Sequence, residues 1–160
     1  SGTEFFAGRV VMAEIRAGQV VWLTGRTLVD DGSAPRYLSL PGPRPLVGWE
    51  LARHEPWIVL VEGIFDWLVL RQWGFPAIAI GGTAVGPTLL TALRRFETVY
   101  LALDQDTAGR QAMTKAEDFL GRTARRLELP GVKDVAELAT KPGGRQRFET
   151  TFESWHALAA

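Results

Sequence analysis

Trp57-Ile58-Val59-Leu60-Val61 runs straight into Glu62-Gly63, and Thr98-Val99-Tyr100-Leu101-Ala102-Leu103 runs straight into Asp104-Gln105-Asp106. Both are short, unbroken apolar runs rich in β-branched and aromatic residues, the pattern of strands buried on both faces of a parallel sheet. Each ends in carboxylates. Open α/β sheets bind their ligands outside the carboxyl ends of the strands, so these two stretches decide both the fold and the place of a site. Asp104 and Asp106 flank Gln105, and in an extended segment both point the same way. Carboxylates that close repel one another unless one is protonated or a cation bridges them, and a set of oxygen donors suits a hard divalent cation. Glu62 either completes that set or serves as a general acid or base. For an isolated Asp-x-Asp the alternative is plain helix capping ahead of Thr107.

Outward from these strands the chain alternates. Ile64, Trp67, Leu68 and Leu70 to Trp73 predict a helix ended by Gly74; Pro76 to Ile80 predicts a short strand ending at Gly81-Gly82-Thr83. Thr88 to Phe96 reads as a helix with Pro87 at its start, where proline is tolerated. Further helices are expected at about Thr107 to Gly121 and Val135 to Ala139, with a strand at Arg125 to Leu129 between them. Repeated βα units imply a mainly parallel sheet flanked by helices. The first part is β-rich instead, with strand-like Val10 to Ile15, Val20 to Leu23 and Arg36 to Leu40 and a turn at Asp30-Asp31-Gly32-Ser33. Pro41-Gly42-Pro43-Arg44-Pro45 interrupts it. The expected organisation is a small β-rich subdomain over 1–54, an α/β domain over 55–141 and a helical tail over 142–160 around Phe148, Phe152 and Trp155.

With 160 residues, 46% of them hydrophobic and 22% charged, the chain has the make-up of a soluble globular protein with a real core. It has no cysteine, which excludes disulfides and thiolate zinc sites. No apolar run is long enough to span a membrane, and no signal peptide opens the sequence, so a cytoplasmic place is expected. The formal net charge is zero, which argues against tight, independent binding of nucleic acid. The six tryptophans are assigned to packing and the two histidines to no metal site.

Val61-Glu62-Gly63-Ile64-Phe65-Asp66, taken with Leu103-Asp104-Gln105-Asp106-Thr107-Ala108-Gly109-Arg110, resembles the Toprim domain shared by topoisomerases, DnaG-type primases and some nucleases. The resemblance implies that Glu62, Asp104 and Asp106 form a catalytic site dependent on Mg²⁺ or Mn²⁺. Asp66 matches a primase-type variant of the first motif. Gly81-Gly82-Thr83-Ala84 is similar to the primase loop after the second strand, and Leu129-Pro130-Gly131-Val132-Lys133-Asp134 to a late acidic motif in which Asp134 helps hold metal. Three N-terminal segments, around Arg9, Arg26 and Arg36, follow in order those of the DnaG polymerase core. There the family's basic side chains line a cleft for template and nucleotide, a task for planar guanidinium groups. Asp66, Arg110 and Lys133 join these three arginines as expected nucleotide or nucleic-acid contacts. Gln105, Thr107 and Ala136 depart from the usual primase residues, and Glu137, beside Ala136, is expected to point elsewhere. The short stretch between Gly109 and Leu129 is closer to phage or plasmid primases.

The resemblance therefore implies a Toprim-type α/β fold making short RNA primers on single-stranded DNA from ribonucleoside triphosphates. It implies a monomeric, nucleoid-associated piece of a larger enzyme, without zinc in this sequence, that meets a replicative helicase through other domains. Two alternatives stand beside it: a Toprim nuclease using the same acids to activate water, and a weakly catalytic module that binds nucleic acid or a replisome partner. A topoisomerase is not expected, since it needs a nucleophilic tyrosine in a separate breakage-reunion domain and this sequence has only Tyr37 and Tyr100, the latter in a core strand.

Overall fold

The structure is a computed structural model that describes residues 4–29, 31–81 and 85–156, with the Trp155 side chain set aside. The expected turn at Asp30 and the loop Gly82-Thr83-Ala84 fall partly or wholly outside the described residues.

The N-terminal part is an antiparallel sheet of β1 (Arg9–Arg16), β2 (Gln19–Thr27) and β3 (Tyr37–Ser39), in that order. The β1–β2 turn places both Ala17 (φ 49°) and Gly18 (φ 77°) in the left-handed region, the geometry that matches the twist of a two-residue hairpin. Arg9 lies opposite Thr27, and Val10 opposite Arg26. Side chains alternate along a strand, so Arg9 and Arg26 leave this sheet on opposite faces.

The chain divides into compact units at Pro45/Leu46, and backbone pairing accounts for the place. Val47 exchanges hydrogen bonds with Ala79 at 3.0 Å in both directions. A short helix that periodicity did not announce, α1 (Trp49–Ala52), buries Ala52 in the second unit's core.

That second unit is built on β4 (Trp57–Val61), β5 (Ala77–Ala79), β6 (Thr98–Leu101) and β7 (Ala124–Arg126), all parallel, in the order β5-β4-β6-β7. Between them run α2 (Ile64–Trp73), α3 (Pro87–Leu93) and α4 (Thr107–Leu120); α5 (Val135–Ala139) and α6 (Gly144–His156) follow. Ile58, Leu60, Ile78, Val99 and Leu101 project toward α3 and α4 and meet Leu90, Leu93 and Met113. On the opposite face Trp57 and Tyr100 pack against Phe152 of α6, while Phe148 fills the space beside Trp73 and Phe75. The tail helix thus closes the second face of the sheet. Helix ends follow the sequence: Gly74 (φ 91°) terminates α2 in the left-handed conformation and Pro87 opens α3. β7 is shorter and earlier than expected because its ladder with β6 ends at Arg126, one further bond joining Leu127 N–H to the Leu101 carbonyl at 2.9 Å.

Candidate active site

From β4 the chain goes to β5 on one side, then crosses to β6 on the other. The order reverses between β4 and β6, and at such a switch point the loops part and leave a crevice at the strands' carboxyl ends. Glu62 stands at the end of β4 and Asp104 just beyond β6, two strands in direct hydrogen-bonded contact. The fold therefore brings the two motifs together without any long-range accident of side-chain packing.

Helix starts supply the remaining acids. Asp106 is the cap of α4, its Oδ1 accepting the Gly109 N–H at 2.9 Å. Asp134 is the cap of α5, its Oδ1 accepting the Glu137 N–H at 2.7 Å. Asp66, in the first turn of α2, reaches back to the Gly63 N–H at 3.1 Å. At Asp106 and Asp134 the cap engages Oδ1, and capping by one oxygen does not by itself exclude a role for the other.

Mutual repulsion is visible at Glu62. Partial burial raises its pKa, and the Asp104 and Asp106 carboxylates push in the same direction, against the Asp104 N–H and Lys133. Lys133 is the counter-charge. Its Nζ lies 2.8 Å from Asp104 Oδ2, and this contact raises the ammonium pKa, with Asp134 and Asp106 adding to it. The backbone of Lys133 is pinned as well: its carbonyl accepts the Gln105 N–H at 2.9 Å, and its N–H donates to Glu137 Oε2 at 2.9 Å. Glu137 also pairs with Lys141 at 3.1 Å. Arg110 donates to the Gln105 carbonyl and so braces the loop between the two aspartates.

Space is as restricted as charge. A β-carbon at Gly109 would stand 2.0 Å from the Asp104 carbonyl oxygen and 2.9 Å from Glu62 Oε1. Only glycine lets α4 start this close to both acids.

The donor set, carboxylate oxygens with unrelieved repulsion at Glu62, is that of a hard divalent cation such as magnesium or manganese. Among the described residues no three acidic or imidazole groups stand close enough to enclose an ion as they are; the Lys133 ammonium holds Asp104 instead. The donor chemistry fits such a cation.

A model of the family described as Toprim-like matches residues 59–139, half of the chain, across both acid-bearing strands and α5. The chain belongs to this Toprim-like family. It is 34% identical to the DNA primase of Helicobacter pylori over 122 residues, 69% of this chain and 22% of that protein. Among solved structures it resembles the Aquifex aeolicus primase (zinc-binding and RNA polymerase domains) with a TM-score of 0.77 and 29% identity, covering 95% of this chain and 41% of that one. It also resembles the RNA polymerase domain of Mycobacterium tuberculosis primase DnaG in complex with a double-stranded DNA oligomer with a 6-nucleotide overhang. There the TM-score is 0.74 and the identity 26%, over 91% of this chain and 52% of that one. The Toprim chain described here is thus a DNA primase-like domain that spans about a fifth of the Helicobacter relative's length.

Within this Toprim domain, Glu62, Asp104, Asp106, Asp134 and Lys133 are brought together electrostatically. Asp66 is 5% exposed, with both oxygens on backbone N–H groups. Its signal lay in the spacing, since it precedes buried Leu70 by one helical repeat and so falls on the buried stripe of α2. Arg9, Arg26 and Arg36 belong to the first unit. There Arg9 donates to the Arg36 carbonyl at 3.3 Å, and Arg26 sits 5.9 Å from the Tyr37 ring centre. The Lys133–Asp104 pair and the brace from Arg110 were not foreseen. Both depend on loops folding back, and no local pattern encodes that.

Proposed function

We propose that this domain carries out metal-dependent nucleotidyl transfer, joining ribonucleotides into short primers on single-stranded DNA, as part of a longer enzyme. The observation that carries this reading is the meeting of Glu62 and Asp104 at the switch point between β4 and β6, in a chain whose relatives are DNA primases. Glu62, Asp104, Asp106 and Asp134 would hold Mg²⁺ or Mn²⁺, which when bound supplies charge against a triphosphate and acidifies a 3′-hydroxyl. Glu62, its pKa already raised by burial and by its neighbours, is suited to receive that hydroxyl's proton. Lys133 would leave Asp104 for the phosphates. Arg9, Arg26 and Arg36 would contact template and incoming nucleotide through phosphates, Arg9 and Arg26 from opposite faces of the N-terminal sheet and so not at one phosphate. A replicative helicase would be engaged by other parts of the longer protein.

A second reading is a binding module with weak turnover. The Lys133–Asp104 ion pair favours it, since that pair satisfies the acids without a metal.

One denaturing gel separates these readings. The protein is incubated with single-stranded DNA, labelled ribonucleotides and Mg²⁺ or Mn²⁺, beside Glu62→Gln and Asp106→Asn. New short products that vanish in both variants support the primase reading. Shortened DNA with no new product assigns the acids to a nuclease. An unchanged denaturing gel, with the DNA retained by the protein in a parallel native gel shift, favours the binding module.

A further inference from the structure

Among the described residues, Asp66 is the acid near the site whose two oxygens both accept from backbone N–H groups of different elements. Oδ2 takes the Gly63 N–H at 3.1 Å, in the turn just after Glu62. Oδ1 takes the Ala136 N–H at 2.7 Å, in the first turn of α5. That helix begins with the cap Asp134.

The surroundings are built for this double bond. A β-carbon at position 63 would fall 2.5 Å from Asp66 Oδ2, so glycine makes the room. At 5% exposure the carboxylate has lost most of its water, a loss that buried charge tolerates only when hydrogen bonds replace the solvent. Two N–H donors at helix starts do so, and charge-assisted bonds of this kind are strong and directional. A carboxylate so engaged has little left to offer an incoming cation or a nucleotide. What it does is fix one backbone relative to another.

From this geometry we infer that Asp66 is a positioning residue, tying the turn that carries Glu62 to the helix start that carries Asp134. The inference rests on the metal-dependent reading proposed above and adds the element that sets the spacing of two of its ligands. Asparagine at this position has the same shape but only one acceptor atom, so it leaves one of the two N–H groups facing another donor.

Mn²⁺ binding to the full chain, followed by the electron-spin signal of the free ion, tests the inference apart from activity. Wild type is compared with Asp66→Asn, Asp134→Asn and the double variant, and Glu62→Gln serves as a ligand control. Loss of an outer partner that orients metal ligands costs about 10-fold or more in affinity, and that loss is expected for Asp66→Asn. The two aspartate substitutions are expected not to add, with the double variant binding much as Asp134→Asn alone. Equal binding by wild type and Asp66→Asn overturns the positioning role while the metal reading stands. Additive losses overturn it too, since Asp66 then acts independently of Asp134. Absence of Mn²⁺ binding in wild type overturns the metal reading and this inference with it. Should Asp66→Asn fail to fold, Asp66→Glu keeps the charge and displaces the oxygens, with the same loss expected. In wild type, amide hydrogen exchange gives a further check, the Ala136 N–H being slow if the bond to Asp66 persists in solution and fast if it does not.

Discussion

At single residues, the site is governed by compensated repulsion. Lys133 is an exposed side chain whose Nζ balances the largely buried Asp104, and a pair with one exposed partner contributes modestly. Lys133→Met is therefore expected to tighten Mn²⁺ binding by roughly two- to fivefold, the scale of such a pair, measurable by calorimetric titration. Gly109→Ala is expected to do the opposite. Its methyl group would collide with the Asp104 backbone and Glu62, costing about 1–3 kcal/mol of stability by overpacking and abolishing Mn²⁺ binding; urea unfolding and the same titration check both. Asp66 adds a pH dependence in chelator. Burial, reinforced by the Asp134 and Asp104 carboxylates, pushes it up to about 6 against the pull of the Ala136 and Gly63 N–H groups. The folded chain then binds this proton more tightly than the unfolded chain, so the group's contribution is complete below pH 3.8 and is lost as pH rises through about 6. The wild-type melting temperature minus that of Asp66→Asn is accordingly expected to fall between pH 4 and pH 7.

At the scale of elements, what was legible in the sequence had a local cause. β4 and β6 were legible because unbroken apolar runs ended at acids, α2 because Gly74 stopped it, and α3 because Pro87 opened it. The capping of α4 by Asp106 was legible as an alternative to metal binding, and the fold uses the residue as a cap. Illegible were α1, whose four residues are too few to show a period, and the pairing of Val47 with Ala79, which joins distant segments. The same holds for Asp66 and Ala136, whose bond depends on how α5 docks on α2. The aromatic seating of α6 has a measurable consequence. Phe148 is fully buried against Trp73 and Phe75, so Phe148→Ala is expected to cost about 3–5 kcal/mol in urea unfolding.

At the scale of the whole molecule, the acids and the arginines belong to different compact units, so the roles proposed for them can be tested apart. The second unit contains its own sheet, both layers of helices and every acid of the candidate site. Replacing Arg9, Arg26 and Arg36 together with alanine is expected to weaken retention of single-stranded DNA at least tenfold while leaving Mn²⁺ affinity unchanged, as gel-shift and titration would report. The ion pair at Asp104 carries a last consequence, for handling the protein. Small zinc domains unravel in chelator because their ligands have no other partner. Here the chain supplies its own ammonium to the acid cluster. Dialysis against EDTA should therefore return a fully folded, storable protein, able to be recharged with whichever divalent ion an assay requires.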